Sequence, residues 1–204
     1  SSGGEFTRAL KAEYDPQTLS FAGPGKTDEE LELVISHGLG IISVESINEL
    51  KRANLIAAKI DKKANISIRI NPSKHHKKFA VKMGGRPSQF GIDEEDYLKF
   101  FNCLKTMECC SFKGIHIYTG TQCLDEETLI DNVVNTLSLA KKIHHATGVI
   151  PQYINFGGGF GVPYHGLQQA FDLDYVCSEI SKHFEVYKRD TGFSDTVGIF
   201  ELGR

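Results

Sequence analysis

Residues 154–164 read Ile-Asn-Phe-Gly-Gly-Gly-Phe-Gly-Val-Pro-Tyr, INFGGGFGVPY, and the reading of this stretch decides the fold. A strand-like pentad, Gln152 to Phe156, runs straight into Gly157, Gly158 and Gly159. Glycine loses more conformational freedom on folding than any other residue, so three in a row cost stability unless something requires the bare backbone. A strand delivering a glycine turn is how a parallel sheet brings backbone N–H groups to a phosphate.

Working outward, short apolar runs rich in β-branched residues recur at Leu19–Ala22, Ile41–Val44, Ile66–Ile70, Gly114–Tyr118, Tyr153–Phe156 and Val197–Phe200. Each predicts a strand. Between them lie helical patterns. Glu126 to Ala146 places Leu129, Val133, Leu137, Ala140 and Ile143 on one face, with Asp125 as its cap. Thr27-Asp28-Glu29-Glu30 forms a capping box, Leu173 to Tyr187 makes another helix, and Gly4 to Glu13 precedes the first strand. Strands that are apolar throughout, alternating with helices, indicate an α/β fold with a parallel sheet covered on both faces.

The chain has 204 residues, fewer than the roughly 250 of a complete (β/α)8 barrel. Six strand units of eight, with no linker between them, predict a partial barrel, one incomplete domain over residues 1–204. A net charge of −3 makes no case for nucleic acid or an anionic membrane as partner. No apolar run approaches membrane-spanning length, and SSGGEFTRALKAEYD lacks the character of a signal peptide. The five cysteines are odd in number and show no C-x-x-C spacing, which fits reduced thiols in a cytoplasmic protein. His75-His76 and His144-His145 are adjacent pairs without the i, i+4 spacing of paired ligands, so no metal site is expected.

Chemistry in such sheets collects at the carboxyl ends of the strands. After the first strand, Gly23-Pro24-Gly25-Lys26-Thr27 imitates the end of a P-loop, but Ser20 stands where the pattern needs glycine. Asp28-Glu29-Glu30 would also repel a phosphate there. After the third strand comes a long basic loop, SKHHKKFAVKMGGRPSQFGID, with Lys74, Lys77, Lys78, Lys82 and Arg86. It reads as a solvated surface, or as a docking loop for an anionic substrate or acidic partner. The fourth strand end carries His116, Tyr118 and Thr121; the sixth carries Glu201, Gly203 and Arg204. A glycine turn, a hydroxyl and a guanidinium on neighbouring strands point to a phosphorylated cofactor.

The segments SSGGEF, FAGPGKTDEEL, SVESINEL, IRINP, SQFGID, GIHIYTGTQ, INFGGGFG and ELGR follow one another along the whole chain. In this order the series resembles the fold-type III pyridoxal-phosphate decarboxylases, the diaminopimelate, ornithine and arginine decarboxylase group with an alanine-racemase-like barrel. Val81-Lys82-Met83-Gly84-Gly85, with GTQ and GGGFGVPY, is most similar to a specialised or exopolysaccharide-linked subgroup. Some members of that subgroup decarboxylate an aminoacyl group held on a carrier protein.

The resemblance implies pyridoxal 5'-phosphate as cofactor and a homodimer as the working form. Gly157, Gly158 and Gly159 would wrap its phosphate together with Thr121 and Arg204, Gly203 would also bind the cofactor, Glu201 would face the pyridine nitrogen, and Arg69 would lie on the strand beneath. Tyr118 takes the place of the family histidine that stacks on the ring, and His116 falls two residues earlier on the same side of the strand. The substrate would be a small amino acid or an aminoacyl group on an acidic carrier protein. The family's Schiff-base lysine would lie about twenty residues upstream of Ser1. Lys82, in Phe79-Ala80-Val81-Lys82, imitates its motif from the wrong strand. The family's C-terminal β domain would follow ELGR. The competing reading is a catalytically inactive homologue that binds a partner.

Overall fold

The structure, a computed structural model, describes residues 1–73, 81–82, 90–190 and 192–203. In chain order the elements are α1 (Gly3–Lys11), β1 (Ser20–Phe21), α2 (Asp28–Ser36), β2 (Ile41–Val44), α3 (Ile47–Lys59), β3 (Ala64–Asn71), β4 (Val81–Lys82) and β5 (Ile92–Asp93). They continue with α4 (Tyr97–Leu104), β6 (Cys110–His116), β7 (Gly120–Thr121), α5 (Glu126–Thr147), β8 (Tyr153–Asn155), α6 (Leu173–Lys188) and β9 (Val197–Ile199). The strands divide between two compact units, Ser1–Ile70 with Gln89–Gly114, and Asn71–Ser88 with Ile115–Arg204.

In the first unit the hydrogen-bonded order is β1-β2-β3-β6, with β5 on β3. Ser20 pairs with Ile41 and Ile42 with Ile66, all parallel. Ile42, Val44, Ile66, Ile68 and Ile70 are buried at alternate positions and so line one face of the sheet, while the other face carries buried polar residues, Ser43, Ser67 and Arg69, so these strands are not apolar throughout as their sequence suggests. Helices α2 and α3 pack together and bury Leu31, Val34, Ile35, Leu50, Ala53 and Ala57. The start of α2 is set by the expected capping box: Thr27 Oγ1 accepts from Glu30 N, and the Glu30 carboxylate accepts from Thr27 N. Those two contacts occupy the helix terminus that a P-loop would offer to phosphate. Lys26 turns inward, donating to the carbonyls of Gly23 and Ser43 at 2.6 and 2.7 Å and lying 2.5 Å from the Glu49 carboxylate.

In the second unit β8 and β9 are parallel, pairing Tyr153 with Val197 and Asn155 with Ile199. Just past the end of β6, Ile117 N donates to Asn155 O at 2.9 Å. The short strands β4 and β7 pair antiparallel, Val81 against Thr121. Helix α5 starts at its Asp125 cap, which accepts from Thr128 N, and ends where Gly148 takes a left-handed φ of 73°. It buries Leu129, Val133, Leu137 and Ile143, as its spacing predicts, and packs against α6. Beside β9 an apolar groove of about 700 Å³ is lined by Phe156, Phe160, Phe171, Phe184 and Phe200.

All six expected strands are present, although β6 begins at Cys110 rather than Gly114. The strands β4, β5 and β7 were not expected, because two residues carry no periodicity to read. Among the described residues no helix is long and apolar enough to cross a membrane, and no group of metal-ligating side chains gathers.

Candidate cofactor site

The second unit gathers polar side chains where β6, β7, β8 and β9 end. Its framework is the glycine turn after β8. Gly157 and Gly159 take φ of +70° and +97°, while Gly158 does not take a positive φ. A β-carbon on Gly157 would stand 2.6 Å from the carbonyl oxygen of Ile117 and 2.8 Å from the ring of Tyr118. One on Gly158 would stand 2.0 Å from the carbonyl oxygen of Glu201. Three strand ends therefore approach so closely that only glycine fits between them. The protein's own backbone already demands bare backbone at 157 and 158.

Hydrogen bonds lock this turn in place. Glu201 N donates to Gly157 O at 2.8 Å, Cys123 N to Gly159 O at 2.9 Å, and Gly161 N to Cys123 O at 2.8 Å. Gln122, held at φ +57°, spans Val162 with its amide, donating to its carbonyl at 3.1 Å and accepting from its N–H at 3.0 Å. The residues that follow Thr121 are thus bound directly to the residues that follow Gly158. Buried Asn132 on α5 accepts from Thr119 Oγ1 at 3.0 Å and donates to the Phe156 carbonyl at 3.4 Å, holding the two strand ends together.

The acid of the site is Glu201. Its Oε1 accepts from Asn155 Nδ2 at 2.8 Å, and its Oε2 lies 3.8 Å from Nε2 of His116. His116 is 2% exposed and the Glu201 side chain 39%, so the carboxylate stands at the edge between a buried imidazole and open space. Asn155 Oδ1 accepts from Gly157 N at 2.9 Å. Tyr118 is half-buried beside Gly157, and Thr121 is half-buried in β7.

Of the residues singled out in the sequence, His116, Tyr118, Thr121, Gly157, Gly158, Gly159, Glu201 and Gly203 all belong to the second unit. Arg69 belongs to the first. There it is buried, donates to Glu45 Oε1 at 2.9 Å and stacks on the Phe90 ring 4.9 Å away. Glu45 also accepts from the N–H groups of Gly23 and Gly91 at 3.0 and 3.1 Å, and Glu49 accepts from Glu45 N at 2.9 Å. Burial pushes the Glu49 carboxyl above its ordinary range, against the opposing pull of Lys26. Arg204, Lys74, Lys77, Lys78, Arg86 and the His75-His76 pair lie outside the described residues, as does the side chain of Lys82. Asn155, Gln122, Asn132 and Glu45 were not singled out in the sequence. The signal for Asn155 was there: asparagine is depleted in strands, so one inside an apolar strand wants a polar partner.

All 204 residues match the family profile described as pyridoxal-dependent decarboxylase, pyridoxal binding domain. The chain belongs to the pyridoxal-dependent decarboxylase family. Within it, the chain is 38% identical over its whole length to the L-glutamyl-[BtrI acyl-carrier protein] decarboxylase of Niallia circulans, covering 47% of that protein. It is 31% identical to the diaminopimelate decarboxylase of Methanothermobacter thermautotrophicus, covering 46% of it. The crystal structure of diaminopimelate decarboxylase from Helicobacter pylori complexed with L-lysine superposes with a TM-score of 0.85 at 32% identity, over 99% of this chain and 49% of that one. The chain therefore spans about half the length of these relatives. These likenesses bear out the expected fold, an α/β chain forming part of an alanine-racemase-like barrel, and the expected cofactor, pyridoxal phosphate.

Proposed function

We propose that this chain is the cofactor-binding part of a pyridoxal-phosphate-dependent amino-acid decarboxylase whose substrate is a diamino acid of the diaminopimelate kind or an aminoacyl group on a carrier protein. The observation that carries the reading is the convergence of the Gly157–Gly159 turn, Glu201 and His116 at neighbouring strand ends. The identity to a carrier-protein decarboxylase along the whole chain supports the second substrate class.

The residues present fit a phosphorylated heterocycle. The backbone N–H groups of Gly158 and Gly159, together with the Thr121 hydroxyl, would offer donors to a dianion, and Arg204 would add a charged pair. The half-buried Tyr118 ring beside Gly157 offers a flat face for stacking. When bound, the cofactor supplies an electron sink for the pair left behind as the substrate carboxylate departs as CO2. Glu201 holds a proton on the ring nitrogen, since a carboxylate in hydrogen-bond reach favours the charged form of its partner. His116 is buried beside that carboxylate, with its Nε2 3.8 Å from the second oxygen. The whole protein works as a homodimer. The basic stretch around Lys77 and Lys78 receives the acidic carrier.

The test is Glu201→Gln in the full-length protein. Turnover, followed as CO2 released from diaminopimelate and from a glutamyl-carrier protein, should fall about 100-fold while cofactor affinity stays within about threefold. Equal losses in both would count against the assignment of Glu201, and no CO2 from either substrate class would count against the reaction.

A further inference from the structure

We propose that Asn155 is a positioning residue that ties the ring-facing carboxylate to the phosphate-binding turn. The inference deepens the reading of Glu201 given above and rests on it.

The argument begins with what an amide can do. Gly157 N–H can only donate and an ionised Glu201 carboxylate can only accept, so the two contacts of Asn155, at 2.9 and 2.8 Å, assign its oxygen and nitrogen without ambiguity. Of side chains of this size, only asparagine presents both. Leucine presents neither, and aspartate would keep the acceptor for Gly157 but set a second carboxylate 2.8 Å from Glu201.

Asn155 is 8% exposed; its contact to Gly157 is buried, and that to Glu201, whose side chain is 39% exposed, is part-buried. Its backbone is fixed as well: Asn155 pairs with Ile199 of β9, and its carbonyl accepts from Ile117 N at 2.9 Å. A rigid strand thus carries one amide that sets the position of Glu201 Oε1. Oε2 meanwhile faces His116 at 3.8 Å. The carboxylate is pinned on one oxygen by Asn155 and flanked on the other by the imidazole, so its direction is decided before any cofactor arrives. Because the same amide holds Gly157 N, the groups for the two ends of the cofactor are held in one spatial relation, which is the preorganisation that binding and electrostatic catalysis require.

The experiment uses the full-length holoprotein reconstituted with pyridoxal phosphate carrying nitrogen-15 in its ring. Asn155→Leu should lower kcat about 10-fold to 100-fold with KM within about threefold. It should also move the ring nitrogen-15 signal toward that of Glu201→Gln. In the Glu201→Gln background, Asn155→Leu should add less than about twofold, because the group it positions is already altered. Losses that multiply, or a wild-type ring signal in folded Asn155→Leu, would overturn the proposal. If Asn155→Leu does not fold, Asn155→Asp takes its place, since it keeps the acceptor for Gly157. The same loss of kcat and the same displaced signal are expected, and wild-type values for both would overturn it. A different result marks failure of the underlying reading: Glu201→Gln with wild-type turnover and ring signal sinks the role of Glu201, and that of Asn155 with it.

Discussion

The carbonyl oxygen of Glu201 stands 2.0 Å from the place a β-carbon on Gly158 would occupy. Backbone cannot move aside as the end of a long side chain can. Gly158→Ala should therefore destabilise the fold by about 3 kcal/mol, at the upper end of overpacking costs, and abolish cofactor binding. Gly203→Ala is the contrast. Nothing lies within 4 Å of a β-carbon there, so its unfolding midpoint in denaturant should match the wild type.

Gln122 should behave as a local clamp. Its two contacts to Val162, at 3.0 and 3.1 Å, are exposed, and their loss in Gln122→Ala should free the end of the glycine turn. Amide exchange at Val162 should rise about tenfold, corresponding to about 1.4 kcal/mol, while the global midpoint hardly moves. Unchanged exchange at Val162 would show that Gln122 does not hold the end of the turn.

The ion pair of Lys26 and Glu49 sets a stability prediction in the first unit. Both side chains are at most 5% exposed, so Lys26→Met leaves a buried carboxylate without its cation. The expected cost is about 3–5 kcal/mol at neutral pH. The sign with pH follows from the raised Glu49 pKa. A carboxyl that takes up its proton more readily when folded than when unfolded favours the folded state as pH falls. The loss in Lys26→Met should shrink toward acid pH, and the double change with Glu49→Leu should recover most of it. Denaturant titrations at pH 5 and pH 8 would decide the point.

Cys110 should be a poor nucleophile. Burial, followed by the neighbouring Cys109 and Cys103, pushes its thiol up to about 12. At pH 8 that leaves about one thiolate in 10⁴, so iodoacetamide should label exposed Cys177 long before Cys110, as mass spectrometry would show. The folded thiol keeps its proton to about 12, while an unfolded one loses it near its ordinary value of 9.0, so this group makes stability fall as pH rises between the two. Early labelling of Cys110 at pH 8 would contradict the burial of its sulfur.

Much of the molecule was legible in the chain because its signals are local. The runs at Ile41–Val44 and Tyr153–Phe156, the capping box at Thr27 and the apolar face of α5 each depend on residues a few places apart, and each forms where expected. The resemblance, carried by motifs in order, likewise named the family and the cofactor that the relatives bear out. The partner of Lys26, Glu49, lies on α3 and could not be guessed from spacing.

What the sequence alone determined, then, is which segments become strands and helices and which strand ends carry polar groups, because period, capping and glycine content are properties of neighbours in the chain. Tertiary structure decided the rest. Residues 155 and 201 share a hydrogen bond, and 122 and 162 share two, only because adjacent parallel strands bring their carboxyl ends together. The glycines at 157 and 158 are required first by the carbonyls of Ile117 and Glu201, a steric demand that exists only once three strands are side by side.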